Sequence, residues 1–366
     1  MKRLLCIVST MNTGGAETFL MKVYRQLDKT RYQMDFCICN LEKNFYEDEI
    51  IKMGGKIYHL PMKTKNPLKY TWQLFNLVHS NKYNYILRLG STIFEIIDLY
   101  IAMLAGAKIR VLRSCNANAG FSSILIKLHK IFRKLIMKVA NVKIAPSDLA
   151  AKFTFGNTND VHILNNGLDT KLFKFSFEKR NEIRHNFNSK NNFIVGHVGR
   201  FNFQKNHKFL LEIFAEIKKQ KENAVLWLIG KGELENEIKK QAEKLKVLKS
   251  INFLGVRSDV SDLLSAMDVF VFPSLFEGMP NTVIEAQTNG LPCLISDTIT
   301  KQAKQTDIVN FMNLKQTPLE WANKAIEFAS IQRLENRSQV AEQIKQVGYD
   351  ISNVTEEFIS LILRKG

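Results

Sequence analysis

Two glutamates eight positions apart, Glu277 and Glu285, lie in the stretch DVFVFPSLFEGMPNTVIEAQTNG that spans 268–290. An ionised carboxylate only accepts hydrogen bonds, so such a pair suits a ligand rich in hydroxyls, such as a sugar. Two cations, Arg200 and Lys205, stand five apart just after Gly199. A guanidinium and an ammonium in one loop can converge on a diphosphate.

Regular elements must hold these groups. Residues 269–272 are a short apolar, β-rich run of the kind that is buried on both faces. Pro273 and Ser274 end it. A loop to Pro280 carries Glu277 and Gly278. A helix is expected from about Asn281–Thr282, with Glu285 in its first turn, stopping at Gly290 before Pro292. Strand, glycine-bearing loop and helix N-terminus together present backbone N–H groups to a phosphate. The same order recurs at residues 4–9, where Thr13-Gly14-Gly15-Ala16-Glu17 opens a helix to about Leu27. Each feature also has a plainer reading. Thr282-x-x-Glu285 is a capping-box pattern, tight strand–helix turns use glycine for backbone reasons alone, and loop cations are ordinarily solvated.

Residues 34–39, 56–60, 85–89, 109–113 and 142–145 read as further strands separated by helical segments. This alternation implies a parallel sheet covered by helices on both faces. Residues 176–192 are polar and read as a linker. A second parallel sheet then follows, with strands at 193–198, 224–229, 251–254, 269–272 and 293–296, and residues 318–364 read as helical.

At 366 residues the chain exceeds one ordinary core, so two domains are expected. Its +17 charge is uneven: residues 1–190 hold 30 Lys+Arg against 14 Asp+Glu, and residues 191–366 hold 22 against 21. Such a basic first half suits nucleic acid or an acidic membrane surface, or is merely basic. No RNA- or DNA-binding module pattern is present, which sets nucleic acid aside. Five scattered cysteines have neither zinc spacing nor a disulfide framework, so a reducing cytoplasm is expected. Lys2-Arg3 before Leu4-Leu5-Cys6-Ile7-Val8 resembles a leader, but the apolar part is short and a glycine loop follows, so a first strand is expected. Residues 93–107 are broken by Glu95 and Asp98, and nothing approaches a spanning helix. The histidines have no partner spacing, and His197 reads as packing. No Asp-x-Asp is present, so no metal is expected.

The segment ILIKLHKIFRKLIMKV, 124–139, puts apolar residues 124, 128, 131, 132, 135, 136 and 139 on one helical stripe. Lys127, Lys130, Arg133, Lys134 and Lys138 fall on another side, and no acid occurs between 99 and 147. This fits a basic amphipathic helix on an anionic membrane. At about 1 kcal/mol per cation near acidic lipid, five give useful peripheral binding. It fits equally a core-packed helix with a solvated outer face.

The run from Phe272 to Pro292 resembles the signature of retaining glycosyltransferases of family 4, F-P-S-x-x-E-G-x-P-x-x-x-x-E-A-x-x-x-G-x-P, and fills it without gaps. The resemblance implies an α/β GT-B fold: two Rossmann-like domains with parallel sheets facing a central cleft. It implies a first, acceptor-side domain over 1–175, a linker over 176–192 and a nucleotide-sugar-binding domain over 193–345. A terminal helix in 346–366 would pack back on the first domain. Glu277 would contact the donor sugar and Glu285 the nucleotide ribose. Gly278, Met279, Pro280, Asn281 and Thr282 would lie near the sugar and diphosphate, and Gly15 near the inter-domain cleft. Gly199-Arg200-x-x-x-x-Lys205 resembles the family's diphosphate clamp, which takes the place of a metal. Where relatives carry H-S-H-N, this chain has Arg113-Ser114-Cys115-Asn116, which opens the question of acceptor choice. The expected function is therefore retaining, metal-independent transfer from a nucleotide sugar, UDP-linked, to a lipid-linked or saccharide acceptor in surface polysaccharide synthesis. The expected setting is the cytoplasm, peripheral on the inner face of the membrane. The rival readings are another GT-B enzyme, such as a nucleotide-sugar epimerase or a phosphorylase, and a non-catalytic polyanion or membrane binder.

Overall fold

The computed structural model describes residues 1–12, 14–115, 123–331 and 334–364. Thr13 and Asn116 lie outside the described residues, as does the side chain of Ile124. The chain divides into two units, Met1–Gly167 with Ile351–Gly366, and Leu168–Asp350.

The first unit runs β1 (Lys2–Val8), α1 (Gly15–Gln26), β2 (Tyr32–Ile38), α2 (Glu47–Lys52), β3 (Ile57–His59), α3 (Pro67–Ser80), β4 (Tyr85–Leu89), α4 (Ile96–Leu104), β5 (Ile109–Arg113), α5 (Ser123–Val139), β6 (Val142–Ala145), α6 (Asp148–Phe155) and β7 (His162–Ile163). Its described strands pair in parallel in the order β3-β2-β1-β4-β5-β6-β7. Helices cover both faces, so Leu4 to Val8 are all buried and the strand reads as a continuous apolar run. Local signals set the helix ends. Asn66 accepts the Lys69 amide with Pro67 in the first turn of α3, and Gly156 closes α6 at φ 91°.

One buried charge cluster ties this unit together. Asp98 accepts Arg88 Nε at 2.7 Å, Lys63 Nζ at 3.0 Å and the Tyr70 hydroxyl at 2.9 Å. Arg88 also donates to the Ile7 carbonyl at 3.1 Å. Burial works against the charged guanidinium, but Asp98 together with Cys39, Glu95 and Tyr70 outweighs it and holds Arg88 above its ordinary value.

The second unit runs α7 (Phe177–Asn186), β8 (Phe193–Val198), α8 (His207–Gln220), β9 (Ala224–Ile229), α9 (Glu235–Lys244), β10 (Ile251–Gly255), α10 (Val260–Ala266), β11 (Val269–Phe272), α11 (Asn281–Thr288), β12 (Cys293–Ser296), β13 (Val309–Met312), α12 (Pro318–Ile331), α13 (Leu334–Arg337) and α14 (Val340–Ile344). The described strands are parallel in the order β10-β9-β8-β11-β12-β13. Strand β13 has no counterpart in the sequence reading.

The expected linker is instead part of this unit. Ser176 caps α7, whose Arg180 and Arg184 are buried. Both donate to Asp268, at 2.6 Å and 2.7 Å, and to the carbonyls that end α10. A polar composition suggested a linker because the anchoring groups are charged rather than apolar. The boundary also shifts. Residues 168–175 belong to the second unit, which extends to Asp350.

The last helix, α15 (Ile351–Ile362), belongs to the first unit. Val354, Phe358 and Ile362 are buried in one core with Phe19 and Val23 of α1, and the Phe19 and Phe358 rings meet edge to face at 6.1 Å.

Candidate active site

Strand order reverses once in each sheet, between β1 and β4 in the first unit and between β8 and β11 in the second. Open α/β sheets bind ligands beyond the carboxyl ends of their strands at such a point. In the second unit the loops leaving β8 and β11 hold Arg200, Lys205, Glu277 and Gly278 at that place.

Lys205 and Glu277 are brought together. The ammonium donates to Glu277 Oε1 at 2.5 Å, and the side chains are 15 % and 10 % exposed. Lys205 Nζ also sits 4.6 Å from the centre of the Phe272 ring. The two loops are laced together on either side of this pair. Gln204 Nε2 donates to the Phe276 carbonyl at 2.8 Å, and the Leu275 amide donates to the Gln204 carbonyl at 2.8 Å. Asn206, in the left-handed region at φ 54°, donates to the Pro273 carbonyl at 3.1 Å. The sequence singled out neither Gln204 nor Asn206.

Arg200 does not join this pair. Its guanidinium lies 3.1 Å from Glu233, and both side chains are exposed. The Glu233 backbone amide, and to a lesser degree Arg200, hold that carboxyl below its ordinary value. The Gly230-Lys231-Gly232 loop brings Glu233 here. A Cβ on Gly230 would stand 2.1 Å from the Gly199 carbonyl oxygen, and one on Gly232 would stand 2.3 Å from that of Phe201. Only glycine permits this approach. A Gly-x-Gly after a strand was the available signal, and the sequence reading passed over it.

Behind the loop, His197 and His207 are buried with ring centres 4.8 Å apart. Burial, with Lys205 nearby, pushes His207 down to about 4. Burial and the His207 ring push His197 well below its ordinary value. His197 is indeed packing, but with a partner ten residues away that spacing does not reveal.

Helix α11 begins at Asn281 after Pro280, without a side-chain cap. Thr282 is its second residue, and its buried hydroxyl has no partner. The capping-box reading therefore fails, and Glu285 is the fifth helical residue rather than one of the first turn. It is partly buried. Met279 takes a different role from its neighbours, with its sulfur 3.8 Å from the Tyr349 hydroxyl.

In the first unit, Gly15 is the exposed first residue of α1. Glu17, two residues on, accepts from the Thr10 hydroxyl at 3.4 Å, and burial pushes its carboxyl up. Arg113, where the resemblance led to the expectation of a histidine, is buried 3.7 Å from the Phe19 ring centre and donates to Asn166 at 2.5 Å. Burial brings its guanidinium down to about 10 and pushes the Cys115 thiol up to about 11.

The stripe on α5 is mostly turned outward: Leu128, Ile131, Phe132 and Leu135 are exposed, while Ile136 and Val139 are buried. No helix among the described residues is long and apolar enough to cross a membrane. Among the same residues no three His, Cys, Asp or Glu groups are placed to hold a metal ion.

Comparison with known proteins adds the following. The model of the family described as glycosyl transferases group 1 matches residues 178–307. A Bacillus subtilis protein named as the glycosyltransferase EpsF is 34 % identical over 358 residues, 95 % of this chain and 93 % of its own. A Staphylococcus aureus protein named as the capsular polysaccharide biosynthesis glycosyltransferase CapH is 24 % identical over 383 residues, with 100 % and 99 % coverage. Among solved structures, Anabaena HepE in complex with UDP-glucose superposes with a TM-score of 0.79 at 17 % identity, covering 98 % of this chain and 99 % of that one. This last likeness is one of fold.

Proposed function

The chain belongs to the group 1 glycosyltransferases, and on that premise we propose that it moves a sugar from a UDP-linked donor to a lipid-linked saccharide in surface polysaccharide synthesis. The reaction is retaining and needs no metal.

The Lys205–Glu277 pair at the strand-order reversal of the second unit carries this reading. The donor's diphosphate takes Lys205 from Glu277, which then accepts hydrogen bonds from the sugar hydroxyls. Arg200 leaves Glu233 for the same diphosphate. The first turn of α11 adds backbone donors and a positive dipole end on one side, and Glu285 takes the ribose hydroxyls. The bond between the anomeric carbon and the phosphate oxygen then breaks, and its electron pair leaves with the diphosphate. Lys205 and Arg200 neutralise that charge as the sugar ring approaches an oxocarbenium state. The acceptor oxygen bonds to the anomeric carbon on the face the diphosphate leaves, and its proton passes to the departing phosphate oxygen. Attack on that face retains the configuration. The first unit holds the acceptor, and α5 brings it to the inner face of an anionic membrane.

HepE was crystallised with UDP and with UDP-glucose, which supports uridine as the base. The name of CapH supports a capsular type of product. A melting-temperature survey with UDP, GDP and ADP sugars in EDTA tests the donor site, because a ligand of the folded state raises the melting point by mass action. A UDP-selective rise that survives EDTA and disappears in Glu285→Ala is expected. No rise with any nucleotide would overturn the assignment.

A further inference from the structure

Helices α3, α4 and α5 lie side by side on one face of the first sheet, with α4 in the middle. Tyr70, Leu74, Leu99 and Ile136 anchor them in one core. Their outer sides therefore look the same way, and a solvated outer side should be polar. Instead α3 exposes Leu68 and Trp72, 84 % and 66 % accessible and one turn apart. Helix α4 exposes Ile97, Tyr100 and Leu104, and on α5 Ile131 is 69 % accessible. Large apolar side chains exposed across adjacent elements mark an interaction surface.

Charge says what kind. Helices α3 and α5 contain no acid. Between residues 50 and 147 the chain has only Glu95 and Asp98. Asp98 is buried against Arg88, and Glu95 is bonded to Thr92. Lys69, Lys127, Lys130 and Lys134 are exposed on the same helices. A second copy of this face would set cation against cation. An acidic lipid surface answers both the charge and the apolar groups, and Trp and Tyr are the rings that settle at headgroup level.

We infer that α3, α4 and α5 together form a docking face for an anionic bilayer, three helices wide, with Trp72 at headgroup depth. The inference rests on the membrane role proposed for α5 and widens it to two helices in which the sequence showed no such signal.

Trp72 provides the test. The chain has three tryptophans, and the other two, Trp227 and Trp321, are buried in the second unit. The full chain is mixed with phosphatidylglycerol vesicles, with and without brominated acyl chains, and with phosphatidylcholine vesicles. Binding to the anionic vesicles, a blue shift, and bromine quenching that disappears in Trp72→Phe are expected. Leu68→Ser combined with Ile97→Ser should weaken partitioning by about tenfold or more, with an unchanged far-UV spectrum. Binding without quenching would confine docking to α5 and overturn the three-helix face. No binding to either vesicle would overturn both readings. A blue shift with self-association in lipid-free sedimentation would put a second copy on this face and overturn the lipid assignment. The UDP-sugar melting shift on the same samples reports the donor site independently of all these outcomes.

Discussion

Arg88–Asp98 and Lys205–Glu277 are both acid–base pairs at the carboxyl end of a parallel sheet, one in each unit, yet their surroundings differ. Asp98 is fully buried and takes three donors, and Arg88 spends a further donor on the Ile7 carbonyl. Both are buried out of a ligand's reach. Lys205 and Glu277 are partly open, and the hydrogen bonds that fix their loops come from Gln204, Asn206 and the Leu275 amide rather than from the pair itself. A pair buried in the core holds a fold. A pair positioned by its neighbours can exchange partners without loosening anything.

That contrast can be broken by experiment. Asp98→Ala strands a buried guanidinium and should lower stability by about 3–5 kcal/mol in denaturant unfolding, while the nucleotide affinity of the folded fraction holds. Lys205→Ala should reverse the pattern. Turnover falls by about 10²–10³-fold, and the melting point drops far less than for Asp98→Ala. Equal losses of stability in the two variants would erase the distinction.

Acid should expose a weakness in the second unit. His207 stays neutral in the folded state down to about 4, whereas the unfolded chain takes up the proton near the ordinary value of 6.5. The unfolded state therefore binds more protons between these values, and stability is lost as pH falls through that window. The shift corresponds to about 3 kcal/mol for this group, and His197 acts in the same direction. Melting followed from pH 7 to 4 should show this loss, and His207→Asn should flatten it. An unchanged slope in the variant would place the acid sensitivity elsewhere. The smallest effect is expected at Glu233, whose pair with Arg200 is exposed and screened by solvent. Glu233→Gln should leave stability alone and tighten UDP binding a few-fold by releasing Arg200. Weaker binding would mean that Glu233 positions the arginine rather than occupying it.

Most strands were legible because parallel strands buried on both faces are continuous apolar runs. Those at 85–89, 109–113, 193–198 and 269–272 match their sequence positions. Strand β13, VNFM, is too short and too mixed in polarity to announce itself. Helix α7 was hidden because two of its three buried side chains, Arg180 and Arg184, are arginines, which a hydrophobic pattern reads as solvent-exposed. At the site, Glu277 and Lys205 were legible from residue type and spacing. Their pairing was not, since it depends on β8 and β11 lying side by side although 70 residues, 199–268, lie between the two strands. The Gln204 contact comes from the same adjacency, that of Glu233 from β8 lying beside β9, and that of His197 with His207 from α8 meeting the strand it follows; no local period encodes them.

Helix α15 carries a consequence for how the molecule is made. Chains fold as they leave the ribosome, N-terminal parts first. Residues 168–350 form a unit contiguous in sequence, complete once its own last strand and helices have emerged. The first unit emerges earlier but lacks Val354, Phe358 and Ile362 until the whole second unit has been synthesised. The half translated first is thus the half finished last, with the apolar side of α1 uncovered during all the intervening translation. A nascent chain stalled before residue 351 should display a protease-sensitive first unit beside a protected second one.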